Sequence, residues 1–115
     1  MPLQKEEKFF DRQYESATAS GPGTGDLLVI NYEQEFQLTE LILDLANEGS
    51  VQIEERDDGG GNAETLFNIS ETLFQDGDFE DPVAEVGSGR EVAIVAAESL
   101  SGEVNVNART HIRRV

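Results

Sequence analysis

Residues 90–114 read REVAIVAAESLSGEVNVNARTHIRR, and their rhythm decides the fold. In the first half Val92, Ile94 and Ala96 fall on one face, and in the second Val104, Val106, Ala108 and Thr110 do the same. Asn105, Asn107 and Arg109 alternate to the opposite side. Apolar residues at every second position match a strand with one face on a core. Between the two runs lies SLSG, whose serine and glycine suit a hairpin turn. Two antiparallel strands joined at residues 99–102 are therefore expected.

The same chemistry extends upstream. Residues 50–56, SVQIEER, place Val51 and Ile53 opposite Gln52 and Glu54, as in a half-buried strand. Residues 26–32, DLLVINY, are almost continuously apolar, which suits a strand near the centre of a sheet. In EFQLTELILDLA, residues 35–46, the apolar phase shifts around Thr39 and Glu40. A bulge, or a strand moving between sheets, explains such a shift. Its Leu and Glu content also suits a helix, but Phe36, Thr39, Ile42 and the following NEGS turn favour a strand. ETLFNIS at 64–70 adds a further strand, and residues 71–90 have room for short ones around Leu73 and from Val83 to Val86. About seven to eight short strands with turns at such intervals predict an all-β chain, an antiparallel β-sandwich or jelly roll. Residues 26–115 form this domain. Residues 1–25 read as an extended N-terminal arm carrying Phe9, Phe10 and Tyr14, followed by the Gly/Pro linker SATASGPGTG.

Composition then narrows the chemistry. The 115 residues hold 24 Asp and Glu against 8 Lys and Arg, one His, and neither Cys nor Trp, for a net charge of −16. Without Cys there is no disulfide framework or thiolate nucleophile, and one His builds no multi-histidine metal site. The opening MPLQKEEKFFDRQ is charged where a leader would be apolar, and no run reaches the roughly 18 apolar residues of a membrane span. The expectation is a soluble chain that touches no membrane. Between Asp26 and Glu103 twenty acids face only Arg56 and Arg90, which also argues against nucleic acid as a partner. Arginine outnumbers lysine six to two. Acids spread along a lysine-poor chain resemble the proteins of extreme halophiles, in whose cytoplasm molar salt shortens the Debye length to about 3 Å.

Candidate sites are few. QDGDFED offers Asp76, Asp78, Glu80 and Asp81 as oxygen ligands for Ca2+ or bound salt cations, although it departs from the EF-hand pattern. The glycines of GPGTG and VGSGR lack the phosphate-loop pattern. His111 reads as a surface or interface histidine. A cation-rich terminus on an acidic body suits docking to a neighbour's carboxylates, so Phe9, Phe10, Tyr14, Arg109, Arg113 and Arg114 form a candidate subunit interface.

ELILDLANEGSVQIEE (40–55), EVGSGREVAIVAAE (85–98) and GEVNVNAR (102–109) together resemble the small β-sandwich and jelly-roll proteins of tailed-virus particles. The likeness is of pattern: an apolar strand entering a polar turn, a glycine turn before an alternating strand, and a closing Gly-x-Val-x-Val strand. It implies a non-enzymatic virion component that decorates or projects from the capsid as a turret, or belongs to the tail. Such a protein works as a homo-oligomer and contacts a major capsid or tail protein. With the acidic composition, it implies a virus of a halophilic archaeon. The alternative is a stand-alone carbohydrate- or cell-surface-binding module with Phe79 exposed on a long loop. A cupin-type enzyme fits poorly, since those enzymes usually ligate metal through several histidines.

Overall fold

The computed structural model describes residues 9–21, 23–78 and 80–113. Nine strands form two antiparallel sheets packed face to face, with no helix among the described residues. The strands are β1 (Phe9–Ser20), β2 (Gly23–Ile30), β3 (Phe36–Leu45), β4 (Val51–Asp57), β5 (Glu64–Ile69), β6 (Leu73–Asp76), β7 (Ala84–Val86), β8 (Arg90–Leu100) and β9 (Glu103–Arg113). The front sheet runs β1-β9-β3-β6, with β7 also paired to β3; the back sheet runs β2-β8-β4-β5. The sandwich expected from the alternation is present, with the described part of the arm supplying β1.

The core lies between β3 and β9 in front and β4 and β8 behind. Leu41, Leu43, Val104, Val106 and Ala108 meet Val51, Ile53, Val92 and Ile94, all buried. Each such Leu, Ile or Val contributes about 1.5–3 kcal/mol by leaving water. Tyr32 packs edge-on against Phe36 at one end, with ring centroids 5.1 Å apart.

Phase shifts in the sequence become bulges in the sheet. β3 slips register against β9 between Leu38 and Glu40, so Thr39 is the extra residue. Its hydroxyl donates to the Arg109 carbonyl at 2.9 Å. Opposite the bulge, Val83 N–H donates to the Leu38 carbonyl at 2.8 Å, holding the β6–β7 connection against the sheet. Gly77 makes that approach possible: its φ is +88°, and a Cβ there would lie 2.3 Å from the Thr39 carbonyl oxygen.

Two expectations are corrected. The segment SLSG is not a hairpin, because β8 belongs to the back sheet and β9 to the front. It is a corner between layers, turned at Gly102, whose φ is +77° and whose Cβ would sit 2.7 Å from Asn47 Nδ2. β1 and β2 turn an equivalent corner, and Gly21 N–H donates to the Gly102 carbonyl at 2.8 Å, stacking one arch on the other. Nor is the DLLVINY strand central. β2 is the edge of the back sheet, where only Ile30 is buried, Leu27 and Leu28 are half-buried and Val29 is exposed. A run of apolar residues reports contact with the core from one side as readily as burial on both.

Candidate functional site

The outer face of the front sheet is built by the alternation read from β9. Asn105, Asn107, Arg109 and His111 point away from the core, and pairing sets Thr18, Ser16, Tyr14 and Arg12 of β1 opposite them. On the other side β3 contributes Asp44, Ile42 and Glu40 opposite Asn105, Asn107 and Arg109, with Gln37 opposite His111. Side chains bond across the strands, as neighbouring positions on one sheet face do. Tyr14 Oη donates to Asn107 Oδ1, Thr18 Oγ1 donates to Asn105 Oδ1 at 2.8 Å, and Asn105 Nδ2 donates to Glu103 Oε1 at 3.0 Å.

At the end of this face lies an open groove of about 630 Å³, lined by Arg12, Tyr14, Glu40, Asp78, Arg109 and His111 among others. Tyr14 is 59% exposed, and the Arg109 side chain is 68% exposed with Nε 3.6 Å from Glu40 Oε1. Both signs of charge line the groove. An ion pair that exposed contributes little to stability, so the arginine is held lightly.

His111, read from sequence as a surface or interface histidine, is buried within its own chain at 8% exposure. It sits between Arg12 and Gln37 in the ladder. Burial, and then the positive charge of Arg12, hold its imidazole below the ordinary value of 6.5, so the neutral form is favoured. The outward series of Asn105, Asn107 and Arg109 continues to it in the structure, but what covers it is tertiary and leaves no local signal.

Of the residues read as a subunit interface, the structure brings Tyr14 and Arg109 together at the groove. Arg113 is turned to its own chain: Nη1 lies 2.8 Å from Glu35 Oε2, and its backbone N–H donates to the Glu35 carbonyl. Phe9 and Phe10 lie in β1, but their side chains fall outside the described residues, as do Arg114 and Phe79. The four acids read as cation ligands do not assemble into a ligand set. Asp76 pairs with Leu41 in the sheet, while Asp78 Oδ1 accepts from Asp81 N–H at 2.8 Å in a tight turn. Among the described residues no group of three or more His, Asp or Glu side chains is placed to hold a metal ion.

A second polar cluster at the β4–β5 loop was not anticipated. Arg56 bridges Asp26, at 2.8 Å, and Glu91, at 2.7 Å. Glu91, 4% exposed, also accepts from Asn31 Nδ2 and Gly59 N–H. Burial alone would push its carboxyl up, but Arg56, Gly59 and Asn31 outweigh that and hold it below the usual carboxylate range. Arg90 binds Glu55 at 2.9 Å and Asp57 at 2.7 Å, across the end of the β4–β8 pair in the back sheet. Both cations of the 26–103 body are thus consumed in tying down the loop DDGGGN, residues 57–62. A third network lies under β1, where Tyr32 Oη donates to Glu15 Oε1 at 2.8 Å and shares a hydrogen bond with Thr110 Oγ1. Desolvation raises the Tyr32 phenol above its usual value.

No family model matches this chain, and comparison with the curated proteins finds no match.

Proposed function

We propose that the chain is a non-enzymatic structural protein in the particle of a tailed virus of a halophilic archaeon. It decorates or projects from the capsid, or forms part of the tail, and works through contacts between protein subunits. The observation that carries the reading is β1, a twelve-residue edge strand bordering the Tyr14–Arg109 groove. A strand of that length at the side of a sheet presents a row of backbone donors and acceptors that a neighbouring subunit can satisfy. The −16 charge supports the halophilic setting, because self-repulsion of that size is screened in molar salt. Mass spectrometry of particles banded in a density gradient, from a culture expressing this chain, tests the proposal. The chain is expected at a fixed copy number relative to the shell protein, and recovery in the soluble lysate alone contradicts it.

The outer face also favours a second reading, a carbohydrate- or cell-surface-binding module. Exposed Tyr14 lies beside Ser16, Thr18, Asn105 and Asn107, an uncharged row of hydroxyl and amide groups. An exposed tyrosine ring offers an apolar face and a polar tip, and the amides beside it offer hydrogen bonds to a sugar's hydroxyls. Glycan-array binding by a monomer, lost in Tyr14→Ala, would favour this reading over the first.

A further inference from the structure

We infer that two copies of this chain pair antiparallel through β1, so that the front sheet runs continuously across both. The inference rests on the subunit reading above and specifies the surface used. It begins from how the described edges are protected. β6 and β7 are only four and three residues long. β5 is six residues long, and its pairing with β4 shifts register. β2 shifts register twice against β8. Short strands and bulges are the ordinary devices that stop edge-to-edge association. β1 has neither from Asp11 to Ser20: it stays in register with β9 throughout, without Pro or Lys.

The unsatisfied groups on that edge can be assigned. Gly21 N–H donates to the Gly102 carbonyl, so positions 21 and 102 form a hydrogen-bonded pair. Alternation along an antiparallel ladder then turns the backbone groups of Ala19, Ala17, Glu15 and Gln13 toward β9. Those of Arg12, Tyr14, Ser16, Thr18 and Ser20 point the other way, where no described strand pairs with β1.

Charge favours a second copy here, because this flank lacks the repulsion found over the rest of the chain. A chain of net −16 repels its own kind over most of its surface, yet from Gln13 to Gly25 the sole charged residue is Glu15. Its carboxylate accepts from Tyr32 Oη under the sheet, and with Arg12 just before it residues 12–25 carry one charge of each sign. Gly23, Thr24 and Gly25 of β2 lie at the same corner, and no bulky side chain among them stands in the way of approach.

The register follows from the same facts. A two-fold axis at Ser16 sets Tyr14 opposite Thr18 and Arg12 opposite Ser20, the longest overlap that avoids the Phe9–Asp11 irregularity. An axis at Glu15 would oppose two carboxylates. With the axis at Ser16 no like charges face each other, and each open N–H meets an open carbonyl.

The test is the solution mass of the full chain in molar KCl by light scattering. Twice the 12.6 kDa chain mass is expected for the native protein, and the monomer mass for Ser16→Pro. Proline at position 16 removes only an outward N–H, which edge strands tolerate. A second measurement does not depend on that variant folding. The chain has no Cys, so Ser16→Cys carries a single spin label, and two labels across the axis should show strong mutual broadening. A native monomer, or a dimer with unbroadened Ser16→Cys spectra, overturns the pairing. A monomer that still bands with particles at fixed copy number refutes the pairing and leaves the particle reading standing; a β1 dimer absent from particles does the reverse.

Discussion

The molecule uses arginine in opposite ways at its two polar regions. At the β4–β5 loop Arg56 and Arg90 are drawn into the structure, each bridging two carboxylates. At the groove beside β1, Arg109 stands in solvent at a loose 3.6 Å from Glu40. Acids crowd the first region, so its two cations are needed to close a loop that would otherwise repel itself. The second lies next to the flank with the fewest charges, so its cation is available.

The contrast can be broken most sharply at Arg56. Arg56→Ala leaves Glu91 buried without its cation and should cost roughly 3 kcal/mol, seen as a lower denaturation midpoint in molar KCl. A loss below about 0.5 kcal/mol would place Arg56 among ordinary surface ion pairs. At the Thr39 bulge, Thr39→Val strips the Arg109 carbonyl of a hydrogen bond and should cost about 1–2 kcal/mol in the same assay.

Acid separates the regions by titration. Glu91 is held below its ordinary value in the fold, so its contribution is complete above the usual carboxylate range and is lost as pH falls through the lowered value. His111 is also lowered, so its contribution is complete above 6.5 and is lost as pH falls below that toward its folded value. His111→Gln should therefore flatten the stability profile just below pH 6.5, and Glu91→Gln should flatten it only at more acid pH. Denaturation midpoints across pH 8 to 3 check both; a His111→Gln profile parallel to the native one would refute the first. The smallest effect belongs to the groove, where Arg109→Ala should change stability by less than about 0.5 kcal/mol. A larger loss in the same denaturation assay would make Arg109 structural and erase the contrast.

Much of this was legible in residues 90–114. Period-two alternation fixed which side chains of β9 enter the core, and the phase slip at Thr39 marked a bulge that the sheet contains. Partner choice was not legible. Whether SLSG makes a hairpin or an arch depends on β1 and β3 taking both sides of β9, a competition decided far away in sequence. The apolar run Leu27–Ile30 likewise could not say that, among the described residues, β2 pairs on one side alone. In the candidate site, Tyr14 and Arg109 were readable as aromatic and cation near the termini, whereas Glu40 and Asp78 were two acids among many until the bulge and the Gly77 turn brought them to the groove. His111 was readable as outward but not as covered.

The central claim is that the open side of β1 is where another copy binds, and amide hydrogen exchange in molar KCl tests it residue by residue. The amides of Ser16 and Thr18, which face away from β9, should exchange as slowly as those of Ala17 and Ala19, which face it. An alternation in which Ser16 and Thr18 exchange freely while Ala17 and Ala19 are protected would mean a bare edge, and would contradict the claim.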